Sequence, residues 1–445
     1  MQSTLRLPHL DLLRVAAFAL LIPYHVGMYY VSWDWHVKSP AASSTLEPFM
    51  LLSSPWRLGL LFFVAGAACA TLYVKRGRWV GFARERSRRL LLPLLFGMAV
   101  IVTPQAYYEL LTQAPELLPG DGGYLDFWAA YLQGGQYCRG EDCMRVPTWN
   151  HLWFLPYLWI YALLLAPLLV RLPQRGLAWP DWAWLLMPAL PLIVFRLGLF
   201  PHFPSTHDLV DDVYNHALYS YLFALGWASR GPLAEGFWGA ARRWRWLSLA
   251  LALLAWGVLV GYFHAYRNGP PPEVLRQLMR TLWALFSWWA ISAACGWAQQ
   301  LASRGEAPVL RWLSGAVFCL YILHQTVIVL LTRLLLPLSL PWGLEALLLI
   351  LLTASICLGA YALLRQVPGL RAMLGISLPA RASEHLGGPQ PWLETVAKPL
   401  PTGPSPASAS GRLPPDAVAA VSRPSTFGGT CRTDSFGRHR SDSDG

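Results

Sequence analysis

An arginine and a histidine inside an otherwise apolar run are the residues of this chain best placed to do chemistry. The run is Leu10 to Val31, LDLLRVAAFALLIPYHVGMYYV, and it carries Asp11, Arg14 and His25. Arg14 and His25 are eleven residues apart, about three turns and about 16 Å along a helix axis. Eleven steps of about 100° return to nearly the same face, so both side chains share one stripe. Ionisable groups inside a spanning helix are costly, and two at different depths on one stripe point to a path across a membrane. Neutral imidazole suits removal of a proton from a hydroxyl; the alternative for His25 is a hydrogen-bonded histidine of the bundle core. Arg14 keeps its charge and needs an anion, either Asp11 one turn earlier or a phosphate-bearing ligand. Pro23 weakens the helical ladder just before His25 and predicts a kink there.

What must position these residues is a membrane bundle. Hydrophobic residues make up 55% of the 445 and charged residues only 13%, with a mean hydropathy of +0.38. A soluble globular chain carries nearer 25% charged residues. Apolar runs of spanning length occur at 10–31, 56–74, 90–112, 151–171, 182–200, 214–229, 246–264, 276–301, 314–336 and 342–364. Each is near the roughly 20 residues that a spanning helix needs. The fifth is interrupted by Pro188 and Pro191, and the sixth is short and holds Asn215 and His216. The expected fold is all-α, a polytopic transmembrane helical bundle of about ten spans. The first run is too long, and lacks the small-residue site, for a cleavable signal peptide.

Charge sets the orientation. The stretch KRGRWVGFARERSRR (75–89) holds seven Lys/Arg, whereas 113–148 holds five acidic residues against Arg139 and Arg145. The stretch 201–213 holds Asp208, Asp211 and Asp212 and no Lys or Arg. Cytoplasmic loops collect the positive charge, which puts both termini in the cytoplasm and the acidic loops outside. The net charge of +11 is accounted for by these loops, and no nucleic-acid partner is expected. The lipid bilayer is the expected environment. Residues 1–370 form the expected membrane domain. The stretch 371–445, rich in Pro, Gly, Ser and Ala, is expected to be a disordered cytoplasmic tail.

The four cysteines within the apolar runs, Cys69, Cys295, Cys319 and Cys357, read as small buried hydrophobes. Cys138 and Cys143 fall in the long external loop, where an oxidising compartment would allow a disulfide. With no His or further Cys at ligand spacing, no metal is expected there or elsewhere. Asp212 and His216 are one turn apart if helical, a spacing that lets a carboxylate orient an imidazole, or they belong to a solvated acidic loop. On the basic side, Arg14, Arg86, Arg88 and Arg89 would suit a phosphate-rich donor such as a coenzyme A thioester, or simply anchor the loop.

The motif R-x10-H in LDLLR…YH resembles the signature of the acyltransferase 3 family of membrane O-acyltransferases. LFFVAGAACA (61–70) looks like the family's second-span segment, and FARERSRRLLLP (82–93) is similar to its arginine pair at the mouth of span three. HLWFL (151–155) resembles the opening of its fourth span and LYILHQTVIV (320–329) its late Y-x-x-H segment. The resemblance covers 5–365, and HVGMYYVSWDWHVKS suggests the glucan succinyltransferase-like branch. It implies an acyl group, acetyl, succinyl or similar, moved from cytoplasmic acyl-CoA as co-substrate to a hydroxyl of a cell-envelope or exported glycan. No tightly bound cofactor is implied. By position, His25 is the catalytic histidine, Arg14 its partner arginine and His324 the late-span histidine. Arg86 and Arg89 would hold donor phosphates, and His151 and Trp153 would meet the acceptor sugar. The place implied is a bacterial plasma (inner) membrane. The rival reading is a multi-span transporter or flippase of a glycan or small solute; it lacks the internal repeat such proteins show.

Overall fold

A computed structural model describes residues 7–140, 142–172, 179–303, 305 and 308–376. Helices occupy the place of every apolar run named above. In chain order they are α1 (Pro8–Ala19), α2 (Leu21–Tyr30), α3 (Glu47–Ser53), α4 (Arg57–Arg76), α5 (Trp79–Phe96), α6 (Thr103–Gln113), α7 (Tyr124–Gln133) and α8 (Phe154–Leu169). There follow α9 (Ala189–Gly198), α10 (Val213–Ala228), α11 (Ala234–Arg243), α12 (Arg245–Ala265), α13 (Glu273–Ala302), α14 (Pro308–Leu335), α15 (Trp342–Leu364) and α16 (Pro368–Met373). Eight helical segments among the described residues are long and apolar enough to cross a membrane. The two other expected spans fall short for visible reasons. α10 has only 16 residues, and the 30 residues of α13 are diluted with Trp, Ser and Gln. Leu164, Leu254 and Leu363 are each more than 60% exposed on the helix surfaces. Such apolar outer faces have hydrocarbon as their solvent. The protein is therefore an integral, multi-pass membrane protein.

Three local departures from plain helices position the site. Pro23 cannot donate to Ala19, and its ring crowds that carbonyl. Accordingly the first span breaks at Leu20 into α1 and α2. A second departure lies between α5 and α6, where Gly97–Ile101 winds as a π-helical turn four residues after Pro93. A π turn leaves carbonyls poorly served by the helix itself, and such turns gather at functional sites. Side chains take up the load here. Tyr131 Oη donates to Met98 O at 3.1 Å, Trp128 Nε1 to Ala99 O at 2.8 Å and Thr326 Oγ1 to Ile101 O at 2.6 Å. Thr326 thereby ties α14 to the turn that precedes Gln105.

The third is a close approach of α4 and α10 at paired glycines. A Cβ placed on Gly226 would lie 1.8 Å from Phe63 O, and one on Gly66 would lie 2.0 Å from Phe223 O. Small residues let membrane helices touch backbone to backbone. This contact brings the first turn of α4 beside the aromatic face of α10, where Phe62 stacks on Tyr219 at 4.5 Å between ring centroids.

The structure adds one element that the all-α expectation lacks. β1 (Gly135–Arg139) and β2 (Asp142–Val146) form an antiparallel hairpin with Cys138 opposite Cys143, and the two cysteines are bonded. Together with α7 the hairpin closes over a small core of Leu110, Phe127 and Tyr131. The expected tail is described only as far as residue 376, with α16 crossing the expected boundary; the remainder lies outside the described residues.

Candidate active site

A cavity of about 440 Å³ lies at the α2 end of the first span, lined by His25, His324, His151, Arg57, Trp153 and His207 among others. Three histidines from α2, α14 and the turn before α8 thus meet, and the hydrogen bonds around them fix their protons. His324 Nδ1 lies 2.8 Å from Tyr321 O and 3.2 Å from Leu320 O. Carbonyls only accept, so this nitrogen carries the hydrogen, and the neutral ring leaves a lone pair on Nε2. That lone pair faces His25 Nδ1 at 3.0 Å. His25 Nδ1 also lies 3.0 Å from Leu21 O, so it too is the protonated nitrogen, shared between two acceptors. His25 Nε2 is left with the free lone pair. The pair of histidines therefore holds a neutral imidazole whose basic nitrogen is available in the cavity.

His151 is arranged differently. Its Nε2 donates to Ile322 O at 3.0 Å, and its Nδ1 receives Gln105 Nε2 at 3.3 Å. Gln105 is completely buried and saturated. Its Nε2 also donates to Thr326 Oγ1 at 2.6 Å, and its Oε1 accepts from Gln325 Nε2 at 3.0 Å and Asn150 Nδ2 at 3.2 Å. Both His151 nitrogens are thus engaged by protein, so its ring shapes the wall beside His324 rather than offering a free donor or acceptor.

A second cavity, of about 150 Å³, lies toward the α1 end and is lined by Arg14, Arg86 and Arg89. Leu61 and Phe154 line both cavities, so two apolar side chains form the wall between arginines and histidines. Arg14 donates to Ser314 O at 2.6 Å, while Ser314 Oγ donates to Asp11 Oδ1 at 2.6 Å. Asp11 and Arg14 therefore both converge on Ser314 of α14. Arg86 is buried, and its Nε has no hydrogen-bond partner. A third, open cavity of about 810 Å³ follows, lined by Arg76, Arg84, Arg88, Arg89 and Arg371. Arg89 belongs to the second and third cavities alike, and Arg88 only to the outer one. The three cavities form a series that runs from an arginine-rich mouth to a basic imidazole. Such a series can hold an anionic group at one end and deprotonate a hydroxyl at the other.

Asp212 and His216 do not form the pair that their spacing allows. Asp212 is fully buried and accepts from Tyr157 Oη at 2.5 Å and from the amides of Thr206 and His207 at 3.1 and 3.2 Å. It is a carboxylate that folds the loop before α10. His216 is engaged elsewhere, by Tyr161 Oη at 2.9 Å and Leu209 O at 2.7 Å. The histidine this loop delivers to the cavity is His207, stacked on Trp153 with ring centroids 4.0 Å apart. Burial pushes His207 below the ordinary imidazole range, which favours the neutral ring in that stack.

Of the residues that the sequence and the family resemblance single out, His25, His324, His151 and Trp153 line the first cavity, and Arg14, Arg86 and Arg89 the second. Arg57, His207, Gln105 and Arg371 were not singled out. For Arg57 a signal existed, an arginine at the head of an apolar run; the other three are placed by distant contacts.

Residues 7–365 match the acyltransferase 3 family, whose description is an acyltransferase domain. The chain belongs to the acyltransferase 3 family. Among curated proteins it is similar to the glucans biosynthesis protein C of Salmonella gallinarum (strain 287/91 / NCTC 13346), 22% identical over 328 residues that cover 71% of this chain and 80% of that protein. The glucans biosynthesis protein C of Salmonella typhi is 22% identical over 329 residues with the same coverage. No solved structure matches. This acyltransferase 3 protein is thus an enzyme of the membrane that transfers acyl groups other than amino-acyl groups, and its His25, His324, His151, Arg14, Arg86 and Arg89 line the two inner cavities of one helical bundle.

Proposed function

We propose that the protein moves an acyl group from cytoplasmic acyl-CoA to a hydroxyl of a cell-envelope or exported glycan, with His25 Nε2 as general base. The observation that carries this reading is the free lone pair of His25, fixed by His324, in a cavity that shares a wall with the arginine pocket. The basic stretch 75–89, expected as a loop but mostly the first turns of α5, would face the cytoplasm, as positive segments do. The His25 cavity would then open toward the plasma membrane's outer face, where the glycan is. The relatives' printed name, glucans biosynthesis, supports a carbohydrate acceptor.

The roles follow from the series of cavities. Arg88 and Arg89 at the mouth, with Arg86 and Arg14 deeper, bind the phosphates of the donor and guide its arm between Leu61 and Phe154. The sugar enters past Trp153, whose indole offers an apolar face. The acceptor hydroxyl gives its proton to His25 Nε2 as its oxygen attacks the thioester carbonyl. The tetrahedral intermediate then expels the thiolate, which regains the proton from His25. His324 is a positioning residue that holds the reactive tautomer throughout. His151 supports that wall, and the whole of 1–370 acts as one membrane domain.

The test is donor dependence. A charge-assisted hydrogen bond contributes about 1.5–3 kcal/mol, so Arg86→Ala and Arg89→Ala should each raise the KM for acyl-CoA about tenfold to a hundredfold while leaving kcat within a few-fold. Initial rates of free-thiol release by purified protein measure this. An unchanged donor KM in both variants would reject the arginine pocket as the donor site.

A further inference from the structure

We propose that Arg57 is the oxyanion-stabilising group of the transfer reaction, its guanidinium taking the negative charge that develops on the carbonyl oxygen of the acyl donor. The inference rests on the acyl-transfer reading of the His25 cavity. Arg57 opens α4 and lines that cavity, yet it is only 6% exposed. Its Cζ lies 3.2 Å above the centre of the Tyr24 ring, and Tyr24 stands edge-on to His25 at 5.6 Å between centroids. The guanidinium is therefore one ring away from the base.

Its Nε and Nη1 have no hydrogen-bond partner, and no carboxylate pairs with it among the described residues. Arginine does not shed its proton, and an ion held out of water without a counter-charge costs several kcal/mol. The Tyr24 face offsets a part of that through cation–π attraction. What remains is a fixed positive charge, with the N–H groups of Nε and Nη1 unused, waiting for an anion. Donor phosphates have Arg14, Arg86 and Arg89 on the far side of the Leu61 and Phe154 wall, so they do not need Arg57. The reaction itself supplies an anion inside the cavity. When the hydroxyl oxygen bonds to the carbonyl carbon, the C=O π pair moves onto oxygen, and the proton goes to His25 Nε2. When the intermediate collapses, that pair returns, the C–S bond breaks, and the thiolate takes the proton from His25. The hydroxyl sits about 3 Å from its base and the carbonyl it attacks about 3 Å beyond, a reach that brings the oxyanion into the neighbourhood of Arg57. A charge present before the anion forms lowers the barrier without reorganisation, because the interaction is stronger in the transition state than in the ground state.

The experiment compares wild type, Arg57→Gln, Arg57→Ala, Arg57→Lys and His25→Ala as full chains in lipid nanodiscs. It follows thiol release from acetyl-CoA and from succinyl-CoA, with a short glucose oligomer as acceptor. Arg57→Gln is expected to lose about 10²–10³-fold in kcat with donor KM within about threefold, for both thioesters alike. Added guanidinium ion should restore at least about tenfold of the Arg57→Ala rate, a rescue that a packing role would not show. If the alanine variant does not fold, Arg57→Lys carries the test beside Arg57→Gln, since it keeps the charge that the role requires. A kcat at least tenfold above that of Arg57→Gln supports the role, and a kcat no higher than that of Arg57→Gln overturns it. The proposal is also overturned by a wild-type kcat in Arg57→Gln, by a loss confined to KM, or by a folded Arg57→Ala that ignores guanidinium. A loss confined to succinyl-CoA overturns it too, because Arg57 would then hold the acyl group's own carboxylate. The parallel variant separates the two ideas. An active His25→Ala would sink the base assignment whatever Arg57 does, whereas a silent His25→Ala beside a wild-type-like Arg57→Gln would remove Arg57 alone.

Discussion

Replacing His25 by alanine is expected to lower turnover by about 10²–10⁴-fold, the range over which a positioned general base accelerates proton transfer. The two histidines packed beside it do not occupy its place. His324 spends Nδ1 on the Tyr321 and Leu320 carbonyls, and its Nε2, which the substitution frees, stays on the side where it faced His25 Nδ1 rather than where His25 Nε2 meets the hydroxyl. His151 has both nitrogens engaged, by Ile322 O and Gln105. The variant should insert and purify like wild type, because His25 contributes one side-chain bond to its own helix and one to His324 rather than holding two helices by packing. Size-exclusion behaviour in detergent checks the fold, and thiol release from acyl-CoA checks the chemistry. A well-folded His25→Ala protein that turns over within tenfold of wild type would remove His25 as the base.

The second large effect concerns folding. Gly226→Leu is expected to abolish the folded state, since the first added atom alone would lie 1.8 Å from Phe63 O and 2.6 Å from Phe63 C. Those are backbone atoms of a helix that cannot rotate out of the way. Overpacking of a core by movable side chains costs about 1–3 kcal/mol, and a clash with fixed backbone must force α4 and α10 apart, which exceeds that range. The Gly66 contact with Phe223 O would be lost in the same movement, and with it the placement of Arg57 at the head of α4. Yield of monodisperse protein and its thermal unfolding in detergent measure the outcome. A wild-type unfolding midpoint for Gly226→Leu would contradict the close approach of the two helices. Gly257→Leu is the control, since a Cβ at that position meets no atom within 4 Å.

These two cases show how far the residues alone could be read. Hydropathy located every long helix, because burying apolar side chains in lipid needs only length and composition. Pro23 announced the break at Leu20, a local effect of a missing N–H. The hairpin 135–146 escaped notice because GQYCR and DCMRV lack the alternation of a half-buried strand. The pairing of His25 with His324 joins residues 299 apart, so helix periodicity could name His25 and the family resemblance His324, but neither could give their shared proton. Asp212 and His216 mark the opposite failure. Their spacing fits a local pair, yet Tyr157 and the amides of Thr206 and His207 claim the carboxylate first. Arg57 stands at the edge of an apolar run, and only its packing over Tyr24 reveals a buried guanidinium whose Nε and Nη1 are unbonded.

The central claim is that one bundle carries an acyl group from the arginine-lined mouth to a hydroxyl beside His25. The measurement that tests it most directly follows acyl-labelled coenzyme A thioester added to the basic-loop side of sealed vesicles holding the purified protein, with a glucose oligomer on the other side. The expected result is free thiol on the donor side and label, in equal amount, ester-linked to the oligomer. Passage of the oligomer or of intact thioester across the vesicle, with no thiol released, would contradict it.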